Sequence, residues 1–205
     1  MGTSAGGSAA VAGLLLTGGA SRRMGTDKAF IEVGGQRLID RAVSVLTAVA
    51  DPVIEVGPGW SGLPAVREDP PGSGPLAALS AGAAGLRRSG HLGPVLVLAV
   101  DMPAVTVELL RFLARRPGPE TAVPRAGGYP QPMCARYGPL VLAAVDERLA
   151  AGGRSLRDLL ETMAASGEVG WVEPDEWEAV AGPEAFADVD TPEDLQRLRE
   201  APQGP

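Results

Sequence analysis

The chain has 205 residues, 45% of them hydrophobic, which is enough for one domain with a substantial core. Its formal net charge of −7 argues against general binding to nucleic acid or to an anionic membrane, so any anion it holds must be gripped locally. The single cysteine, Cys134, excludes an internal disulfide; with no apolar stretch of transmembrane length and no signal-like start in residues 1–10, the cytoplasm is the expected location.

Residues 1–9 are small and expected to be disordered. The apolar run 10–16, ending at glycines, reads as a buried parallel strand. Leu38, Ala42, Val45, Leu46 and Val49 recur at helical spacing within 37–50, and 52–56 reads as the second strand. Residues 74–88 form a helix with Pro75 in its first turn and Arg87 and Arg88 in its last. The strongest strand signal, 94–100, stops at Asp101, and an amphipathic helix follows at 107–116. Residues 121–124 and 129–137 read as strands, the second broken by prolines at an edge or rim. Helices at 139–150 and 155–164 come next, then short strands at 168–173 and 185–189. A last helix, 191–200, is opened by Thr191 and Pro192. This alternation predicts an α/β domain of three layers around a mainly parallel sheet, with no linker dividing it. Ligands of such sheets sit outside the carboxyl ends of the strands, so the residues just after each strand carry the interest.

After the first strand comes "LTGGASRRMGTDK", residues 16–28. Gly18 and Gly19 let backbone N–H groups approach a ligand and form an anion-binding concavity, and Arg23 and Lys28 add full charges for phosphate oxygens. The spacing is neither that of a Walker loop nor that of a dinucleotide fingerprint, which disfavours a dehydrogenase. A glycine-rich turn with solvated arginines is the alternative. Asp101, directly after the strongest strand, offers hard oxygen ligands of the kind Mg²⁺ prefers; otherwise it caps the following helix.

The motif at 16–28 resembles the signature of the nucleotidyltransferases related to molybdenum cofactor guanylyltransferase, although Thr17 stands where alanine is usual. "REDPPGSGPLAALSA" (67–81), "VLVLAVDMPAV" (95–105), "YPQPMCARY" (129–137) and "FADVDTPEDL" (186–195) are similar to further segments of that family, in the same order. The resemblance implies a Rossmann-like nucleotidyltransferase domain over residues 10–200, followed by a disordered tail, 201–205. It also implies that Leu16, Thr17, Gly18 and Gly19 meet a guanine nucleotide and that Arg23 and Lys28 hold its phosphates. Asp69 would contact the nucleotide, Asp101 would bind Mg²⁺, and Asp190 would be a second metal ligand. Arg23, Lys28 and Asp101 are the expected catalytic residues, and Gln131 and Arg136 are expected to contact the second substrate. Arg157 could reach an anionic acceptor, with a solvated helix face as the alternative, whereas Cys134 and His91 are expected to be bystanders.

The implied reaction joins GTP to molybdopterin, releasing pyrophosphate, with transient contact to molybdenum-insertion and acceptor enzymes. A cytidylyltransferase or another nucleotidyltransferase of the same fold is the nearest rival, and a non-catalytic nucleotide-binding protein the next. The doubled glycine at 18–19 favours GTP by resemblance, while aspartate rather than asparagine at 190 pulls the other way.

Overall fold

A computed structural model describes residues 10–18, 28–189, 191, 193, 194 and 196. After β1 (Ala12–Leu16) the next described element is a single 3-10 turn, Lys28–Phe30, followed by a small antiparallel pair, β2 (Glu32–Val33) and β3 (Gln36–Arg37). Then come α1 (Leu38–Thr47), β4 (Val53–Val56), β5 (Ala65–Val66), α2 (Pro75–Arg88), β6 (Val95–Ala99) and α3 (Val107–Arg115). The remainder is β7 (Thr121–Ala126), β8 (Tyr129–Pro130), β9 (Cys134–Tyr137), α4 (Pro139–Ala150), α5 (Leu156–Ala165), β10 (Val169–Val172) and α6 (Pro174–Ala181).

The main sheet runs β10-β7-β9-β6-β1-β4-β5, with β8 paired to β7. All neighbours along that path are parallel except β9, which runs against both β6 and β7. Alternate residues of the strands feed two separate cores, as a sheet covered on both faces requires. Leu15, Leu96 and Leu98 pack with α1, α3 and α6; Leu14, Leu16, Val95 and Val97 pack with α2, α4 and α5. The expected three-layer α/β architecture is therefore present. Helix α2 lies close on the sheet because it carries Gly82, where a Cβ would come within 2.6 Å of Leu14 and 2.8 Å of Val56.

Three local expectations are corrected. The strand expected over 129–137 is two strands, because the chain turns through Gln131–Met133 before β9 begins. Residues 185–189 are the end of a turn and irregular chain rather than a strand: Ala185 and Ala187 bond back to Gly182 and Glu184. Their apolar character serves the core instead, since Phe186 packs edge-on against Trp177 at 4.8 Å. Helix α6 has no counterpart among the expected elements; Pro174 opens it, and Glu173 with Glu176 forms a reciprocal capping box. The cap expected at Thr191 is present, with its Oγ1 accepting the Asp194 N–H at 3.2 Å. Most of the helix expected after it lies outside the described residues.

Register sets the site. Leu16 pairs with Val56 on one side and Ala99 on the other, so β4, β1 and β6 end level with one another. The chain leaves all three at the same sheet edge: Thr17 N–H bonds Val56 C=O at 3.1 Å and Val100 N–H bonds Leu16 C=O at 3.0 Å.

Candidate active site

Above that edge lies a cleft of about 350 Å³. Leu16 at the end of β1 and Thr17 and Gly18 just after it form its floor, Val100 and Asp101 follow β6, and Gly74, Pro75 and Ala78 present the N-terminal turn of α2. Gly74 caps that helix at φ 93°, a left-handed conformation that a side chain would resist, and so lets the chain turn sharply into the cleft wall. Lys28, Ala29, Trp60, Glu68 and Met133 are among the other residues that line it.

The 3-10 turn after the glycine-rich segment carries Lys28 back over the sheet. Its Nζ stands 3.4 Å from Oδ2 of Asp101, across 73 residues of sequence. Both side chains are largely shielded, at 16% and 29% exposure, so each charge acts in a medium far less polar than water. An ammonium and a carboxylate facing one cleft suit a polyanion with its counter-cation better than an apolar ligand. Asp101 also accepts, at its main-chain carbonyl, the Val189 N–H at 2.9 Å. The segment containing 188–189 is thus tied to the same strand end.

Of the residues expected at the site, Leu16, Thr17, Gly18, Lys28 and Asp101 are brought together. Gly19, Arg23 and Asp190 lie outside the described residues. Asp69 is exposed and does not line the cleft; the neighbouring Glu68 does, its Oε1 bonded to the Gly72 N–H at 2.9 Å. Among the described residues no group of three His, Cys, Asp or Glu side chains forms a metal cage.

Arg136 requires a correction. Because β9 is antiparallel, Arg136 pairs with Leu96 near the start of β6, towards the sheet end opposite the cleft. It is buried there and donates to the carbonyls of Ala114, Arg116, Pro119 and Glu120 at 2.8–3.0 Å, a structural staple rather than a substrate contact. Gln131 is partly exposed and bonds the Tyr129 carbonyl, leaving Met133 as the cleft residue of that segment. Arg157 pairs with Glu161 on the exposed face of α5. His91 lies before β6, with Nε2 3.0 Å from the Pro94 carbonyl. Cys134 is fully buried, which pushes its thiol up to about 12.

Sequence reasoning missed Trp60, Met133 and Glu55. Glu55 is one charge inside the apolar "PVIEV", a segment read only as the second strand. In the fold it is completely buried in β4 and accepts from Thr17 Oγ1, the N–H groups of Gly59, Trp60 and Ser61, and Ser61 Oγ. Burial by itself would raise its pKa, but the hydroxyls of Ser61 and Thr17 and the backbone donors outweigh burial and hold it below the usual carboxylate value.

Comparison with known proteins finds relatives over most of the chain. The model of the MobA-like NTP transferase domain matches residues 13–168. A probable molybdenum cofactor guanylyltransferase of Pelotomaculum thermopropionicum is 36% identical over 91% of each chain. Another, from Chloroflexus aggregans, is 32% identical over 92% of this chain and 93% of its own. Among solved structures, molybdopterin-guanine dinucleotide biosynthesis protein A of Archaeoglobus fulgidus superposes with a TM-score of 0.75 at 23% identity, covering 93% of this chain and 97% of that one. The 2-C-methyl-D-erythritol 4-phosphate cytidylyltransferase of Thermus thermophilus shares the fold at a TM-score of 0.62 and 22% identity, over 93% and 97% of the two chains. With the domain model spanning well over half of its length and full-length relatives above 30% identity, the chain belongs to the MobA-like NTP transferase family.

Proposed function

We propose that this chain is a cytoplasmic guanylyltransferase that transfers GMP from GTP to molybdopterin, releasing pyrophosphate and forming molybdopterin guanine dinucleotide. The observation that carries the reading is the meeting of Lys28 and Asp101 in one cleft at the carboxyl end of the sheet. The names of the full-length relatives supply the substrates.

In the reaction, an oxygen of the molybdopterin phosphate forms a bond to the α-phosphorus of GTP. The bond from that phosphorus to the α–β bridging oxygen breaks, and its electron pair leaves with pyrophosphate. The nucleophile is already ionised at neutral pH and needs no general base, which accords with the remoteness of His91 and the inert Cys134. Leu16, Thr17 and Gly18 form the floor on which the nucleotide lies, and Lys28, together with Arg23, balances the phosphate charge. The carboxylate of Asp101 fits a Mg²⁺ ion, which takes few protein ligands and completes its shell with phosphate oxygens and water. Asp101 would hold it, joined by Asp190, the residue after the one whose N–H bonds the Asp101 carbonyl. When bound, the metal neutralises developing charge on the phosphate oxygens.

The test is pyrophosphate release by the purified chain with molybdopterin, Mg²⁺ and each of the four nucleoside triphosphates in turn. Release with GTP alone is expected. Release with CTP in its place would move the chain to the cytidylyltransferase reading, and none with any triphosphate would refute transferase activity.

A further inference from the structure

We propose that Glu55 is a positioning residue of the cleft: its buried carboxylate ties Thr17 to residues 59–61 and thereby fixes Trp60 as the wall against which the nucleoside part of a bound nucleotide packs. This rests on the reading of the cleft as a nucleotide site.

Glu55 stands in the interior of a parallel sheet, opposite Leu15 in register, where an apolar residue would ordinarily pack. A carboxylate there is tolerated only if its lone pairs are filled. They are filled entirely by neutral donors from two segments. Oε1 receives Thr17 Oγ1 at 2.5 Å, Gly59 N–H at 2.7 Å and Trp60 N–H at 3.1 Å. Oε2 receives Ser61 N–H at 2.8 Å and Ser61 Oγ at 2.6 Å. Space for the clamp is made by Gly57, where a side chain would overlap Thr17 Oγ1.

Both segments it joins are cleft wall. Thr17 lies between Leu16 and Gly18 on the floor, and Trp60 faces the cleft beside Lys28 and Ala29. The indole is steadied from behind by Phe30, with ring centroids 5.3 Å apart. Without the carboxylate nothing else among the described hydrogen bonds joins residues 59–61 to Thr17, and the loop would be free to carry Trp60 away from the ligand. The link from the cleft to the carboxylate is the Thr17 hydroxyl, so the clamp depends on the pair Thr17 and Glu55.

The experiment measures GTP binding and steady-state kinetics in the full chain with Mg²⁺ for Glu55→Gln, Trp60→Ala, Trp60→Phe, Lys28→Ala and the double variant E55Q/W60A, each checked for folding by thermal melting. E55Q keeps one acceptor oxygen for Thr17, Gly59 and Trp60 and loses only the Ser61 N–H bond, so Glu55→Ala is measured beside it. E55A and W60A are expected to raise KM and Kd for GTP about tenfold with kcat changed less than about twofold, the signature of lost uniform binding, and E55Q is expected to fall between wild type and E55A. W60F should recover most of the loss, and the double variant should bind no worse than W60A, because both changes weaken one wall. A folded E55A with unchanged KM would mean a purely structural carboxylate and overturn the proposal. Should E55A fail to fold, W60A decides: unchanged GTP affinity overturns it equally. Loss of GTP binding in K28A with none in W60A refutes only the wall. No loss in either refutes the cleft reading, and this proposal with it.

Discussion

Replacing Lys28 by alanine removes the one cation that the described residues place beside Asp101 in the cleft. At 3.4 Å, two unit charges interact by about 5 kcal/mol at an effective dielectric of about 20. The same ammonium facing phosphate oxygens at comparable range would be worth a similar gross amount, less what it already gives the ground state and what solvation returns. Single donors aimed at developing charge typically carry about 3 kcal/mol of transition-state stabilisation, or on the order of 100-fold in rate. The fold, by contrast, should barely notice. The ion pair with Asp101 is partly shielded, contributing roughly 1 kcal/mol or less, and a chain of this size moves about 2–4 °C in Tm per kcal/mol. The assay is kcat/KM from pyrophosphate release with GTP and molybdopterin, beside a melting curve. A melting temperature within a few degrees and a rate down about 100-fold are expected. A loss below about fivefold in a folded K28A protein would refute the electrostatic role given to the site.

Arg136→Ala should behave in the opposite way, because four main-chain carbonyls lose their donor at the sheet end away from the cleft. Stability should fall by about 3 kcal/mol or more in denaturant titration, while kcat/KM per folded molecule is unchanged. The depressed pKa of Glu55 sets the sign of a pH effect: its ionised form stabilises the fold fully above the ordinary carboxylate value, and that contribution fades as pH falls through the lower folded value. The gap in melting temperature between wild type and E55Q should therefore be widest near neutrality and narrow in acid below about pH 4; a gap independent of pH would contradict it. With its thiol pushed up to about 12, Cys134 should resist iodoacetamide at pH 8 in the native chain and react once unfolded, followed by mass spectrometry. Chelation should abolish turnover and added Mg²⁺ restore it, measured by pyrophosphate release; full activity in excess chelator would exclude the metal role.

The sequence by itself determined what local physics can write. Apolar runs of five to seven residues ending at Gly18 or Asp101 marked β1 and β6 and the edge where ligands bind. Helical spacing and end signals marked α1 to α5, since Pro75, Arg87 and Arg88 act within one turn of the chain. Leu16, Thr17, Gly18, Lys28 and Asp101 were legible because their motifs directly follow strands or lie within one loop of them. Only the tertiary structure decided the rest. Strand order and the reversal of β9 depend on pairings distant in sequence, and that reversal sends Arg136 to the far end of the sheet. The burial of Ala185, Phe186 and Val189 in the core that holds Trp177 gave apolar residues a reason that had nothing to do with a strand. Glu55 is one charge in a hydrophobic run, and only folding brings Thr17, 38 residues earlier, and the loop after β4 to converge on it. A buried carboxylate is explained by the donors that surround it, and those donors are assembled by folding rather than by spacing along the chain.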